Sequence, residues 1–388
     1  MNSTKNILIT SPFFYPEPIS TGKFNTDIVR ELKDKGHKVT VLCFHPFYPN
    51  WKSKKSDHKI EGVEIIRGGK NIFYPKNTTL RRIVLEFSFA FFVVRKLKKY
   101  QKNQDIIIPV FPPSFAFYSI LFFLDKKIKK IGMVHDLQEI YSSHKKGFLN
   151  KIVKKYIHKI EKKCFNACDT LIFLSNEMRV AAAALYQLES SKLEVQYPFI
   201  TLSNTITNNL NGALKPEKIN IVYSGALGEK QNPKELYNFF DYATTQVENS
   251  VFHFFSQGKL FDQLKDKNRN QRIKFHDLVP KENLEELYTK SDVQVLPQKA
   301  NTSKGSLPSK LPNLLASGCK ILVITDKGSE IEKLFKNQNL NQVINSWEYD
   351  VILSGLKDVL SAENKSLQQK KVAKEFFTID KMIDKILN

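Results

Sequence analysis

Four short stretches bring together residue types that can hold phosphate or move a proton. In KGSLPSKLPNLLASG, residues 304–318, a small polar turn of Lys304, Gly305, Ser306 and Leu307 precedes Ser309, Lys310 and a helical pattern. Backbone N–H groups at such a turn, together with the Lys310 amine, can bind a diphosphate, and Asn313 near the helix start could reach a ribose hydroxyl. In YSGALGEKQ, 223–231, Gly225 and Gly228 permit close approach by phosphate, with Lys230 and Gln231 beside them. His135 and Asp136 directly follow an apolar run at 130–134. A histidine at a strand's C-terminal end can exchange a hydrogen bond with a hydroxyl near neutral pH. The fourth stretch, SPFFYPEPISTGK at 11–23, is long for a strand-to-helix connection, and such loops are often functional. Gly22 opens its helix, so an anion could approach free N–H groups there. The motif GxGxxG is absent, which argues against a dinucleotide fingerprint.

These residues need scaffolds that present strand ends. Apolar runs at 6–10, 38–43, 105–110, 130–134, 170–174 and 193–197 read as strands. Helical patterns at 22–35, 79–100, 114–124, 149–165 and 176–188 lie between them. Strand–helix alternation predicts a parallel sheet covered on both faces. Residues 198–216 are polar, rich in Asn and Thr, and aperiodic, as a linker is. The alternation then restarts, with strands predicted at 219–224, 251–256, 273–275, 292–296 and 320–325. Two domains follow, 1–200 and 201–388, each a doubly wound sheet, with a ligand cleft expected at the strand C-terminal edges. A last helix over 378–388, with Thr378 as its cap, is assigned to neither half by pattern alone, although packing back on the first is one option.

Together these stretches resemble glycosyltransferase family 4, the retaining enzymes of GT-B fold. The likeness is greatest to the branch that builds O-antigen, capsule and colanic-acid type polysaccharides. It is carried by TSPFFYPEPISTGKF with GHKVTVLCFHPFYP, by VFPPSFA with VHDLQE, and by SLPSKLPNLLASG. The resemblance implies two Rossmann-like doubly wound domains facing a cleft. It implies hexosyl or N-acetylhexosaminyl transfer from a nucleotide-sugar donor, UDP being the first expectation, to a lipid-linked saccharide acceptor. No cofactor and no metal are implied. The catalytic set would be His135, Asp136 and Lys310. The donor would be held by Gly225, Lys230, Gln231, Lys304, Gly305, Ser306, Leu307, Ser309 and Asn313, and the acceptor by Tyr15, Glu17, Thr21, Gly22 and Lys23. Two departures stand out. The family's paired glutamates, eight positions apart, fall on Gly305 and Asn313. Its diphosphate-gripping Arg and Lys fall on Ala226 and Gln231. Lys230 and Lys310, then Lys304, are the candidates to supply the positive charge instead.

Composition narrows the partners. With 60 Lys+Arg against 39 Asp+Glu the formal net charge is +21, which suits nucleic acid, anionic lipid or phosphorylated substrates. No helix-turn-helix, zinc finger or RNP-type pattern appears, so nucleic acid is not expected as a partner. Basic residues concentrate in the first half: Arg81, Arg82, Arg95, Lys96, Lys98 and Lys99 flank the apolar run 83–94, and Lys151, Lys154, Lys155 and Lys159 punctuate 149–160. Such helices suit an anionic membrane surface. The apolar run is about a dozen residues and carries Glu86, short of the about 20 needed to span. The opening MNSTKNILIT lacks a charged lead and apolar core, so no secretory signal is expected. The reading is a cytoplasmic protein, peripheral on the inner face of the membrane, with its four cysteines reduced and buried. A same-fold sugar-nucleotide 2-epimerase, an inactive relative and a nucleic-acid binder are the rivals.

Overall fold

The computed structural model describes residues 3–17, 19–138, 148–202, 210, 212–303, 307–341 and 343–388, with the backbone alone for 148–153. The chain divides into two compact units, Met1–Gln196 with Ile379–Asn388, and Tyr197–Thr378.

The first unit runs β1 (Asn6–Thr10), α1 (Ser20–Asp34), β2 (Lys38–Phe44), β3 (Val63–Gly68), α2 (Thr78–Tyr100), β4 (Ile106–Phe111), α3 (Ser114–Ile120), β5 (Lys129–Val134), α4 (Phe148–Ala167), β6 (Thr170–Phe173), α5 (Asn176–Tyr186) and β7 (Leu193–Val195). Its seven strands are parallel, in the order β3-β2-β1-β4-β5-β6-β7. β4 is buried at all six positions, IIIPVF, because a parallel sheet clothed by helices on both faces has no wet side. Local chemistry sets the helix starts. Asn77 accepts the N–H groups of Thr79 and Leu80 to open α2, and Ser175 accepts that of Met178 to open α5.

The second unit runs β8 (Ile219–Ser224), α6 (Pro233–Gln246), β9 (Ser250–Phe255), α7 (Lys259–Lys267), β10 (Ile273–His276), α8 (Leu284–Lys290), β11 (Val293–Pro297), α9 (Leu311–Ser317), β12 (Ile321–Ile324), α10 (Glu330–Asn337), β13 (Val343–Ile344), α11 (Tyr349–Ser361) and α12 (Ser366–Phe376). Its sheet is again parallel, in the order β10-β9-β8-β11-β12-β13. Strand order therefore reverses between β1 and β4 in one unit and between β8 and β11 in the other. In such sheets ligands bind outside the strand C-termini at that reversal.

The final helix, α13 (Ile379–Leu387), belongs to the first unit and buries Met382, Ile383 and Ile386. Lys35 reaches Asp380 at 2.7 Å, and Lys385 reaches Glu194 at 2.5 Å. Exposed ion pairs contribute little, so the apolar face holds the helix and the charges set its register. Two strands were not predicted. β3, VEIIRG, is a half-exposed edge strand carrying Glu64 and Arg67, and β13 has two residues. α1 begins at Ser20 and α3 stops at Ile120, leaving 121–124 as a turn. All four cysteines are buried free thiols.

Candidate active site

In the second unit, Lys310 caps the start of α9 and turns its amine inward. Nζ donates to the carbonyl of Ser224 at 3.2 Å and to that of Val295 at 3.1 Å, and lies 4.1 Å from the Tyr223 ring centroid. Those carbonyls belong to β8 and β11, the two strands at the order reversal. Burial pulls the amine down to about 7 from the usual lysine range of 10.5. No carboxylate lies within ion-pair distance among the described residues. A cation here has carbonyl dipoles and a ring face for company, and an arriving anion would be its first full counter-charge. Gly225, next after Ser224, has φ +119° with open space around a would-be Cβ, so backbone conformation rather than crowding requires glycine.

In the first unit, His135 leaves β5 with its N–H on the carbonyl of Phe111, the last residue of β4, at 2.9 Å. Its ring meets Phe24 of α1 edge-on at 4.9 Å, and its Nε2 is buried with no hydrogen-bond partner among the described residues. Burial pushes the imidazole down to about 4. The structure holds a neutral ring, able to give or take one hydrogen bond and indifferent to pH across the physiological range. The Asp136 carboxylate accepts the N–H of Leu137 at 2.9 Å.

Residues 21–204 match the sequence model of Glycosyltransferase Family 4. WcaI of Escherichia coli (strain K12), a protein named for glycosyl transfer in colanic acid biosynthesis, is 23% identical over 373 residues, covering 84% of this chain and 85% of its own. The N-terminal half of this chain thus carries the likeness to family 4 glycosyltransferases, and WcaI extends it along most of the length. Solved structures agree on the fold. Sucrose-phosphate synthase from Thermosynechococcus elongatus superposes with a TM-score of 0.74 at 11% identity, over 98% of this chain and 97% of that one. A glycosyltransferase from Rickettsia africae gives 0.65 at 14% identity, over 99% and 97%. The trehalose-6-phosphate enzyme from E. coli bound with UDP-2-fluoro glucose gives 0.66 at 10% identity, over 99% and 96%. The fold is GT-B, with two Rossmann-like units.

The structure places the remaining candidates variously. Lys304, Gly305 and Ser306 lie outside the described residues. Leu307 is a core side chain, which leaves its backbone as the part able to meet a ligand, and Ser309 is exposed. Both ends of the Asn313 amide are engaged by Thr201, as acceptor from its N–H at 2.7 Å and donor to its hydroxyl at 3.0 Å. Gln231 accepts the N–H of Gly228 at 3.0 Å, closing its own turn, while the Lys230 carbonyl accepts the N–H of Lys299 at 2.8 Å.

On the loop after β1, Glu17 is buried rather than presented. Its carboxylate accepts the N–H of Phe47 at 3.1 Å and that of Tyr48, stitching this loop to the one after β2. Burial raises it to about 7, against the lowering from those N–H groups and Arg67. Tyr15 donates its N–H to Thr26 at 3.2 Å and gives its carbonyl to Arg67 at 2.6 Å. Gly22 is buried, and a Cβ there would come within 3.1 Å of the Glu17 Cβ. Thr21 is half-buried and Lys23 exposed.

Sequence reasoning missed two clusters. Glu86 accepts the N–H of Phe115 at 3.0 Å and the Gln138 amide at 2.5 Å, and the Gln138 N–H donates to Glu161 at 3.1 Å. A single acid inside an apolar helical run was the available signal. In the second unit, His253 Nδ1 and His276 Nε2 lie 3.0 Å apart, and His276 stacks on Phe255 at 4.3 Å. Burial lowers both, His253 to about 3. Nothing in the sequence pairs them.

Proposed function

We propose that this chain moves a sugar from a UDP-sugar to a lipid-linked saccharide in surface polysaccharide assembly, with retention at the anomeric carbon and without a metal ion. The supporting observation is the Lys310 amine beneath the strand-order reversal of the second unit. When the bond from the anomeric carbon to the diphosphate breaks, its electron pair leaves on phosphate. A lysine fixed in a poorly hydrated pocket stabilises that charge more than one in water, because no reorganisation is needed. The backbone of Gly225 and Leu307, with Lys230, Lys304, Gly305, Ser306 and Ser309, completes the donor set. Gln231 and Asn313 shape it through their own hydrogen bonds.

The first unit takes the acceptor at the loop of Tyr15, Glu17, Thr21, Gly22 and Lys23. Neutral His135, followed by Asp136, aligns a sugar hydroxyl. The acceptor oxygen forms the new glycosidic bond as the bond to UDP breaks, and its proton passes to the departing diphosphate oxygen. The name of WcaI supports the polysaccharide role, and the UDP-2-fluoro glucose of the trehalose-6-phosphate enzyme supports the nucleotide.

A thermal-shift series over sugar nucleotides, with Lys310→Ala alongside, tests the donor assignment. Stabilisation by a UDP-sugar that Lys310→Ala loses is expected. Unchanged turnover and nucleotide affinity in Lys310→Ala would overturn it.

A further inference from the structure

α2 is apolar on two sides. Leu85, Phe89, Ala90, Val93 and Leu97 enter the core, while Leu80, Ile83, Phe87, Phe91 and Val94 are exposed. Spaced three or four apart, the exposed set forms one stripe, about 20 Å long at about 1.5 Å per residue. Aromatic rings carry the stripe onto α3 and the turn that follows it. Phe87 packs on Phe115 at 4.6 Å, Phe115 stacks with Tyr118 at 6.1 Å, and Tyr118 meets Phe122 edge-on at 6.4 Å. Phe122 is 76% exposed and Phe91 64%. Apolar surface this continuous on a folded chain marks a contact surface.

Its rim is predominantly basic, with Asp125 the one exposed acid of α2, α3 and residues 121–127. Arg82, Arg95, Lys98 and Lys99 are exposed on α2, and Lys126 and Lys127 follow the last ring. Arg95 lies over the Phe91 ring at 5.4 Å. The one acid of α2, Glu86, is turned in toward Phe115 and Gln138, and Asp125 accepts the N–H of Lys127. A second copy would oppose cations to cations, whereas anionic headgroups complement them while the rings enter the acyl boundary. No helix among the described residues is long and apolar enough to cross a membrane, so the contact is one of lying on the surface.

We propose that the α2 stripe and the α3 rings seat the first unit on an anionic lipid bilayer. The inference rests on the lipid-linked acceptor reading and gives that acceptor a route. β4 ends at Phe111, whose carbonyl holds the His135 N–H, and α3 starts at Ser114. The rings thus begin at the sheet edge that carries His135. Glu86 ties the stripe's helix to Gln138, three residues beyond it. A saccharide whose lipid stays in the bilayer would be delivered to that edge.

The test is flotation of the full chain with equimolar phosphatidylglycerol and phosphatidylethanolamine vesicles, and with phosphatidylcholine vesicles, at low and high salt. The wild type, Phe91→Ser/Phe122→Ser and Arg95→Gln/Lys98→Gln are compared. Neither variant touches the core or the candidate site. The wild type should float with the anionic vesicles. The serine variant should bind about tenfold or more weaker at either salt, the scale of removing ring burial from lipid. The glutamine variant should lose affinity chiefly at low salt. Transfer to a water-soluble short-chain acceptor should be unchanged in both, which separates the surface from the chemistry. A wild type that stays in solution with every vesicle overturns the proposal, even if soluble-acceptor transfer is intact. So does a wild-type dimer that the serine variant converts to monomer without any loss of vesicle binding.

Discussion

If Lys310 is the counter-charge for the donor diphosphate, donor binding must take up a proton. With the amine at about 7 in the free protein, about nine-tenths of the chains carry it uncharged at pH 8. A diphosphate within about 4–6 Å favours the ammonium by about 1–3 pH units, so the bound amine is largely protonated there. The net uptake at pH 8 is about 0.4–0.9 proton per donor bound, falling to about 0.1 at pH 6, where the free amine is already charged. Affinity should accordingly weaken as pH rises above 7, by up to about tenfold per unit until the bound amine titrates. A UDP-sugar is the right ligand, since both its phosphates are esterified and bring no proton of their own near neutrality. Titration calorimetry in buffers of different ionisation enthalpy reads the uptake directly from the slope of observed heat. Lys310→Met should abolish the buffer dependence and lower kcat by about 10²–10³-fold, the range for losing one preorganised charge-stabilising donor. A wild type that binds tightly at pH 8 with the same heat in every buffer would refute the assignment.

His135→Ala should lower kcat by about 10²-fold with normal folding. Because burial holds the imidazole at about 4, the wild-type pH–rate profile should show no inflection from this group between about pH 5 and 8. Glu17→Gln should stabilise the protein above pH 7. A carboxyl raised from 4.5 to about 7 costs stability progressively as pH climbs through that window and a constant amount beyond it. The gain, up to about 3 kcal/mol at pH 8, should vanish below about pH 4.5 in denaturant titrations at each pH. A variant less stable than wild type at pH 8 would show that the hydrogen bonds to Phe47 and Tyr48 outweigh the cost of burial. Transfer should survive EDTA unchanged; loss restored by magnesium or manganese would mean that lysine is not substituting for a cation.

The architecture was legible because parallel strands buried on both faces read as unbroken apolar runs, as IIIPVF and ILVI do. β3 escaped because an edge strand keeps one side wet, so Glu64 and Arg67 broke its pattern. Placing His135 and Lys310 needed only that each follows a strand. Their electrostatic states depend on groups far apart in the chain. The depth of the Lys310 amine comes from the Ser224 carbonyl, 86 positions away, and from the Tyr223 ring. Asn313 finds Thr201, 112 positions distant, and the His253–His276 contact joins neighbouring strands. Local composition specifies which residues stand at a strand's end, while sheet order decides what each side chain then touches.

The docking of α13 on the first unit has a consequence for biosynthesis. Residues 197–378 form one uninterrupted stretch, whereas the unit built by residues 1–196 is completed only by the last ten residues of the chain. The second unit is in topological terms an insertion into the first. A ribosome making this chain from the N-terminus exposes every strand of the second unit before Met382, Ile383 and Ile386 emerge. Until they arrive, the first unit leaves an apolar seat beside α1 open, at the stage when exposed apolar surface invites misassembly. A truncation at the C-terminus would therefore damage the half of the protein that begins at the N-terminus.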